Sequence, residues 1–262
     1  IPKDESIVIP SRHLGLSIDE TFCFDAFADR VAEVIDKTVN VDRLLELCTV
    51  EFSGEQTEDV VCSGNRKIAI ARDEAFNFMY RENVEVLKRA GEVVFFSPLR
   101  DKSLPEADMV YFPGGYPELH LAELAANEGM RQSVRKYCET GGRVLAECGG
   151  MMYLCDTITG DDGKVYPMVG VLKQGATMEQ MKLKLGYREV RVNGQRIRGH
   201  EFHYSRILPA NEKIPVIGTI YNAKDMVVDT PVYTYKNVLA SYIHFYWGEC
   251  GMDHFLMLMS QK

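Results

Sequence analysis

The spacing of apolar residues changes twice along the chain and defines three stretches. From Lys67 to about residue 155, short apolar runs alternate with segments in which apolar residues recur every three or four positions. Short apolar runs are typical of strands buried in a parallel sheet, and the longer spacing is typical of amphipathic helices. The alternation therefore predicts an α/β domain with a mostly parallel central sheet and right-handed helical crossovers.

The elements of this middle stretch follow from the same pattern. Strands are predicted at 68–71, 93–96, 109–112 and 143–146. Helices are predicted at 74–90, 119–126 and 130–139, with the start of a further apolar helix at 151–154. Gly91 is predicted to end the first helix, since glycine is common just past a helix C-terminus. Ligands of such folds bind beyond the carboxyl ends of the strands, so the residues after 109–112 and 143–146 are candidates for a functional site.

Residues 1–65 differ from the rest, and we expect them to form a helical arm and linker before a domain at 66–262. The predicted parts are a capping box at 17–20, helices near 24–35 and 41–47, and a polar linker at 49–65. We expect the arm to pack on a neighbouring domain. The chain begins at Ile1 without an initiator methionine or a signal peptide, which suggests a piece of a longer protein.

The stretch after residue 160 predicts further short strands. They are expected at 169–172, 184–192, 199–205, 216–221, 226–228 and 241–246. The pair Asn193-Gly194 is a strong signal for a tight hairpin turn, because both residues tolerate a positive φ. A terminal helix is predicted from about Met252.

Composition and charge narrow the class of protein. The chain has 262 residues, of which 46% are apolar, enough for an ordinary globular core. A net charge of −8 and a pI near 5.4 argue against nucleic acid or an anionic membrane as a partner. The sequence holds no run of 18 apolar residues, so no membrane span is expected. Its seven cysteines are scattered without a CxxC pair, which suits a reducing, cytoplasmic location.

Cys148 is the strongest candidate for chemistry. It stands between the predicted strand at 143–146 and the apolar helix, with Ala146 and Gly150 two residues to either side. Small residues at these positions allow the sharp strand-to-helix turn of a nucleophile elbow. The start of the following helix would favour a thiolate and a developing oxyanion. The alternative is a buried structural cysteine.

A cysteine nucleophile needs a base and donors for the oxyanion that it creates. His244 is the best candidate for the base, because it follows an apolar run and lies late in the chain, where a partner at the same sheet edge is common. The amides of Gly114, Gly115 and Gly149 are candidates for an oxyanion hole and for binding the substrate. The alternatives are a buried structural histidine and a glycine turn chosen only for its backbone angles.

His200, Glu201 and His203 form a motif whose role is open. In a strand, Glu201 and His203 would lie on one face and His200 on the other. Because a metal site needs several ligands that converge, no metal site is expected here. A role facing the substrate or an interface is favoured, and a polar strand with a structural role stays an alternative.

Four motifs together resemble a known family. They are FPGGYPE at 112–118, AECGGMMYL at 146–154, GHEFHYS at 199–205 and SYIHFYW at 241–247. In this order they are similar to the glutaminase half of cobyrinic acid a,c-diamide synthases, which are class I, or triad-type, glutamine amidotransferases. The segment RHLGL at 12–16 resembles the junction with the ATP-dependent half. The resemblance covers nearly the whole chain and implies a flavodoxin-like domain.

The resemblance also implies a reaction and partners. Cys148 would attack the side-chain amide of L-glutamine, and His244 would activate the thiol and protonate the leaving ammonia. Ammonia would pass to an N-terminal synthetase domain of the same polypeptide, where ATP and Mg²⁺ activate the a and c carboxylates of the corrinoid cobyrinate. That domain is absent from this sequence, so no cofactor is expected in this fragment.

One departure from the class I pattern leaves the orientation of His244 open. Most class I amidotransferases carry a glutamate two residues after the histidine, where this chain has Tyr246. Glu249 and Glu201 are candidates for a replacement, and a Cys-His pair without a third member is the alternative.

Other functions compatible with the same residues are the glutaminase domain of a cobyric acid synthase or of a nickel-sirohydrochlorin a,c-diamide synthase. More distant alternatives are a stand-alone cysteine hydrolase and an inactive binding domain of the same fold. The intact set of Cys148, His244, Gly114 and Gly115 favours a glutaminase over an inactive domain.

Overall fold

The computed structural model describes residues 3–9, 11–12, 15–16, 23–50, 64–210 and 213–248. By its internal contacts the chain divides into two units, Ile1–Asp59 and Val60–Lys262. The predicted capping box at 17–20, most of the predicted linker at 49–65 and the predicted helix from Met252 lie outside the described residues. The domain boundary at 65/66 stays a prediction.

The first unit consists of short elements. They are a 3₁₀ turn at Glu5–Ile7, the paired strands β1 (Ser11–Arg12) and β2 (Gly15–Leu16), and the helices α1 (Phe24–Thr38) and α2 (Val41–Cys48). The Asn40 side chain accepts a hydrogen bond from the Arg43 amide at 2.9 Å, which caps α2 where its apolar pattern begins. Neither helix contains a buried residue, so both apolar faces are open within the described residues.

The second unit contains the remaining strands and helices. The strands are β3 (Arg66–Ala71), β4 (Gly91–Phe96), β5 (Met109–Phe112), β6 (Arg143–Glu147), β7 (Cys155–Thr159), β8 (Val165–Pro167), β9 (Leu172–Thr177), β10 (Lys184–Val192), β11 (Gln195–His203), β12 (Arg206–Ile207), β13 (Thr219–Asn222), β14 (Val232–Tyr235), β15 (Val238–Ser241) and β16 (Ile243–Phe245). The helices are α3 (Arg81–Ala90), α4 (Leu121–Ala126), α5 (Glu128–Glu139) and α6 (Gly149–Leu154). Among the described residues, no helix is both long enough and apolar enough to cross a membrane.

The central sheet has six strands in the order β14-β15-β6-β5-β3-β4. All neighbours from β15 to β4 pair in parallel, and β14 is an antiparallel edge strand. Numbered along the chain, the parallel strands lie in the order 2-1-3-4-5, which is the flavodoxin order. The predicted α/β class with a mostly parallel sheet and flanking helices is confirmed.

Two smaller sheets are formed by the strands between residues 155 and 245 that lie outside the central sheet. One is antiparallel with the order β13-β10-β11-β16, and the other has the order β12-β9-β7-β8. Asn193 and Gly194, at φ 49° and 77°, form the predicted two-residue turn, and Val192 pairs with Gln195 across it. In the antiparallel sheet β16 pairs with β11, which places His244 opposite His200.

The predicted helix at 74–90 is wrong at its start, because the helix begins at Arg81. The Asp73 carboxylate accepts hydrogen bonds from the amides of Ala75 and Phe76, at 3.0 and 3.1 Å, and holds a turn that competes with the helix. Phe78 then pairs with Gly114 as an isolated bridge. The segment before α3 therefore runs along the loop that follows β5.

The predicted strand at 241–246 is two strands in different sheets. Ser241 ends β15 in the central sheet, and Ile243 begins β16 in the antiparallel sheet. The Ser241 hydroxyl donates to the Pro231 carbonyl at 2.9 Å and accepts from the Ile243 amide at 3.2 Å, which stabilises the bend between them. The predicted strand at 226–228 reduces to an isolated bridge at Val227, and the one at 169–172 starts only at Leu172.

The core lies between the central sheet and the antiparallel sheet. The central sheet contributes buried side chains such as Ile70, Tyr111 and Leu145, and the antiparallel sheet and its extension contribute Ile243 and Trp247. Burying one large apolar side chain favours folding by about 1.5–3 kcal/mol. The packing of Ile243 and Trp247 against the central sheet therefore holds β16 at the edge of that sheet.

Asn83 on α3 holds the backbone that follows His244. Its side-chain amide donates to the Phe245 carbonyl at 2.7 Å, and its oxygen accepts from the Trp247 amide at 2.9 Å. Asn83 is fully buried, so both bonds lie in the interior, where the loss of a hydrogen bond is costly.

Asn83→Ala is expected to destabilise the chain by about 2–4 kcal/mol, because a buried carbonyl and a buried amide each lose a partner. Chemical denaturation followed by circular dichroism measures the change. The control is Asn77→Ala, since Asn77 is exposed and its side chain makes one weak local bond at 3.4 Å. Equal stability of the two variants would contradict the role given to Asn83.

Candidate active site

Cys148 lies in the sharp turn between β6 and α6, as predicted. Its backbone adopts φ 46° and ψ −108°, a region that non-glycine residues rarely occupy and that costs about 1–3 kcal/mol. The Cys148 amide donates to the Ser241 carbonyl at 2.7 Å, and the Gly150 amide donates to the Pro113 carbonyl at 3.1 Å. A Cβ at Gly150 would lie 2.3 Å from the Phe112 carbonyl oxygen, so the tight turn requires glycine there.

The Cys148 thiol is buried and neutral at rest. Cys148 is 7% exposed, and its thiol donates a long hydrogen bond of 3.9 Å to the Phe202 carbonyl. Burial raises the pKa of the thiol well above its ordinary value, and the nearby Glu118 carboxyl raises that pKa further, while the Gly149 amide lowers it. The Gly149 amide at the start of α6 favours the thiolate, as expected, but loss of hydration outweighs that contribution.

His244 lies on β16, and aromatic rings from other segments enclose its side chain. Its ring stacks on His200, with centroids 4.9 Å apart and planes at 22°, and meets the Phe78 ring edge to face at 4.7 Å. Burial lowers the pKa of His244 to about 3, with a smaller contribution from His200 and His203. The imidazole is therefore neutral at pH 7, the form that accepts a proton.

Each of the three predicted glycines lies too close to a neighbour to accept a side chain. Gly114 lies under the His244 ring, where a Cβ would be 2.3 Å from Cε1. A Cβ at Gly115, whose φ is 155°, would meet the Ala75 carbonyl oxygen at 2.2 Å, and one at Gly149 would meet Pro117 Cδ at 2.7 Å. The backbone at all three positions lies so close to a neighbouring group that only glycine fits there. Their role as oxyanion donors stays a prediction.

A family model described as the CobB/CobQ-like glutamine amidotransferase domain matches residues 67–251. The chain belongs to this family. The match includes the turn of Cys148, the strand of His244 and the glycines between them, and it confirms the class of domain that the four motifs indicated.

The similar curated proteins are longer than this chain. A hydrogenobyrinate a,c-diamide synthase of Pseudomonas aeruginosa is 37% identical over 94% of this chain and 56% of its own length. Cobyrinate a,c-diamide synthases of Salmonella typhimurium and Clostridium acetobutylicum are 33% and 37% identical, over 95% and 94% of this chain and 57% of each relative. The chain thus spans little more than half the length of these relatives.

Solved structures align more distantly. PurLQS from Thermotoga maritima aligns with a TM-score of 0.47 and 17% identity, over 70% of this chain and 87% of the other. A glutamine amidotransferase from Thermotoga maritima aligns with a TM-score of 0.45 and 13% identity, over 68% and 75%. Membership of the amidotransferase family rests on the sequence match.

The motif at 200–203 of this amidotransferase domain splits between two environments. His200 faces His244, and its Nδ1 shares a hydrogen bond with the Tyr80 hydroxyl. Burial lowers the pKa of His200, so it too is neutral at pH 7. The structure thus brings the His200 ring against His244, whereas Glu201 and His203 make their hydrogen bonds within a network next to the site.

Glu201 and His203 belong to a buried polar network. The Glu201 carboxylate accepts hydrogen bonds from Arg188 at 2.7 Å and Thr230 at 2.9 Å and lies 2.8 Å from His203 Nε2. Burial alone would raise the pKa of Glu201, but the bonds from His203 and Thr230 and the Arg188 charge lower it to about 2. Since His203 also stacks on Tyr242 at 3.5 Å, the network braces the strand beside Cys148.

Glu147 is the site residue that sequence reasoning missed. One carboxyl oxygen accepts from the Tyr111 hydroxyl at 2.8 Å, the other accepts from the Phe245 amide at 3.2 Å, and His244 Nδ1 lies 4.0 Å away. Burial raises the pKa of Glu147 to about 8, although both hydrogen bonds lower it. The signal in the sequence was its place as the last strand residue directly before the nucleophile.

The candidates for orienting His244 are thereby revised. The Glu201 carboxylate makes its described contacts with Arg188, His203 and Thr230, and Glu249 lies outside the described residues. Glu147 is the residue whose carboxyl approaches the ring. Within the part of the chain that the structure describes, no group of three histidine, cysteine or acidic side chains is arranged to hold a metal ion.

Proposed function

We propose that this chain is the glutaminase part of a cobyrinate a,c-diamide synthase. The observation that carries the proposal is a cysteine in a strained elbow after β6 together with a buried neutral histidine on β16, a strand in contact with β6, in a domain of the glutamine amidotransferase family. The relatives named as a,c-diamide synthases support the finer assignment.

In the proposed reaction His244 takes the Cys148 proton as glutamine binds, and the sulfur attacks the side-chain amide carbon. A C–S bond forms, and the carbonyl oxygen becomes an oxyanion near the amides of Gly149 and Gly115. His244 returns the proton to the leaving nitrogen, the C–N bond breaks, and ammonia departs. Water then hydrolyses the thioester to glutamate and restores the thiol. The neutral resting pair means that charge develops only with substrate present.

The released ammonia would serve a synthetase part that the relatives contain beyond the matched region. ATP and Mg²⁺ would activate the a and c carboxylates of a corrinoid there, and no GxxxxGK[ST] phosphate loop occurs in this chain. Exposed apolar side chains near the site, Phe78, Leu185, Tyr187 and Phe202, fit a surface that such a partner covers. The open apolar faces of α1 and α2 fit the same role.

Labelling with the glutamine analogue diazo-oxo-norleucine tests the proposal. The electrophile is expected to modify Cys148 alone, with protection by excess glutamine, because the site combines a glutamine pocket with a histidine that removes the thiol proton. Peptide mass spectrometry locates the label, and Cys138 and Cys155 serve as internal controls because they are buried thiols outside the site. Equal labelling with and without glutamine would reject the glutaminase assignment.

A further inference from the structure

We propose that Glu147 is the positioning residue that orients His244 during glutamine hydrolysis, in place of the glutamate that this chain lacks at position 246. The inference rests on the glutaminase function proposed above. It assigns to the residue before the nucleophile the task that class I amidotransferases give to a residue after the histidine.

Two fixed contacts hold the Glu147 carboxyl beside the His244 ring. The Tyr111 hydroxyl binds one oxygen at 2.8 Å, and the Phe245 amide binds the other at 3.2 Å. Phe245 follows His244 directly, so the carboxyl that faces the ring also anchors its backbone. Glu147 is 1% exposed, which leaves the carboxyl no route to water as an alternative partner.

His244 presents a matching atom. Its Nδ1 is buried, has no hydrogen-bond partner within the described residues, and lies 4.0 Å from Glu147 Oε2. A buried polar nitrogen without a partner is costly, and such an atom at a functional site calls for an explanation. The distance exceeds a hydrogen bond, and contacts of this kind commonly tighten only when substrate is bound.

The contact would fix the tautomer of the base. To take the Cys148 proton at Nε2, His244 must carry its own proton on Nδ1, and the Glu147 carboxylate is an acceptor for that proton. Once the ring becomes an imidazolium, the same buried carboxylate stabilises its charge, because charges interact more strongly in the protein interior than in bulk water. Both effects act through His244, so Glu147 positions the base and does not touch the substrate.

The charge state of Glu147 makes the role pH dependent. Burial raises the pKa of Glu147 to about 8, so the carboxylate form grows as pH rises towards 8. The titratable groups that face it are Tyr111 from β5, His244 from β16, Tyr80 before α3 and Cys148 next in the chain. Tyr111 stays neutral in this range, because burial raises its pKa well above 10.

Glu147→Gln tests the inference, because glutamine keeps the shape and donates to Nδ1 instead of accepting from it. We expect kcat for glutamine hydrolysis to fall at least about 10²-fold with KM within about threefold, because the ring is held in the wrong tautomer, a change that costs about 10⁴-fold in a serine protease triad. The rise of activity towards pH 8 should disappear. Tyr111→Phe removes a hydrogen bond that lowers the pKa of Glu147, so its pH profile should shift to higher pH.

Glu189→Gln is the matched control, since that carboxylate binds Arg191 and Arg196 away from the site. If Glu147→Gln keeps the wild-type kcat and an unchanged pH profile, the role given to Glu147 is wrong, while the proposed glutaminase function still stands. If Glu147→Gln does not fold, an unshifted profile in Tyr111→Phe overturns that role equally. Absence of both hydrolysis and labelling in the unaltered protein would instead overturn the proposed function, and this inference with it.

Discussion

Cys148→Ala is expected to reduce glutamine-dependent ammonia release to the background of the uncatalysed reaction, a loss of about 10³-fold or more. The reason is that the proposed thioester cannot form without the sulfur, and removal of a nucleophile abolishes the benefit of the base and of the oxyanion donors. Coupled detection of glutamate and ammonia measures the loss. When the synthetase part is present, added ammonia should still support amide formation, because that step bypasses Cys148.

Cys138→Ala is the control for this variant. Cys138 is fully buried on α5, so its replacement also removes a buried sulfur but leaves the elbow untouched. We expect glutamine-dependent ammonia release to stay within about twofold of the unaltered protein. Survival of that activity in Cys148→Ala, or loss of ammonia-dependent synthesis with the fold intact, would show that Cys148 is not simply the glutaminase nucleophile.

The elbow was predictable because its cause is local. An apolar strand, a small residue on each side of Cys148 and an apolar helix specify the turn within about ten residues. The observed φ of 46° and the crowding at Gly150 are the physical consequences of that pattern. The parallel sheet was predictable for a related reason, since alternating strands and helices with right-handed crossovers leave few topologies.

The errors at 74–90 and 241–246 arose where side chains compete with the pattern. Both segments carry the expected periodicity, but the Asp73 carboxylate delays the start of the helix in one and the Ser241 hydroxyl bends the other. Such side-chain bonds to backbone are decided by tertiary position as well as by sequence. The apolar pattern alone cannot distinguish a strand that stays in its sheet from one that crosses to a second sheet.

Glu147 was missed because its partners come from distant elements. Tyr111 meets the carboxyl from the neighbouring strand β5, whereas His244 approaches it only because β16 leaves the central sheet after β15. The sequence shows only one of the two opposing effects on the pKa of Cys148, for a similar reason. The helix start that would favour a thiolate is visible in the sequence, whereas the burial that disfavours it depends on the packed neighbours.

Gly114→Ala is expected to lower the rates of glutamine hydrolysis and of Cys148 labelling about 10²-fold or more, because the added methyl group displaces the His244 ring. The added Cβ would lie 2.3 Å from Cε1, 2.9 Å from Nδ1 and 3.4 Å from Nε2 of the ring, so the ring must move. A misplacement of about 1 Å is enough for such a loss, because proton transfer depends on alignment. Steady-state kinetics and the rate of labelling by diazo-oxo-norleucine measure it.

The control separates displacement of His244 from backbone strain. Gly194→Ala places a methyl group where nothing lies within 4 Å, at a φ of 77° that disfavours alanine. That variant should lose about 1 kcal/mol of stability with unchanged hydrolysis. Gly114→Ala, in contrast, should lose activity out of proportion to any loss of stability. If Gly114→Ala hydrolyses glutamine normally, the position of the His244 ring does not depend on Gly114. The close contact between them would then have no effect on the rate of hydrolysis.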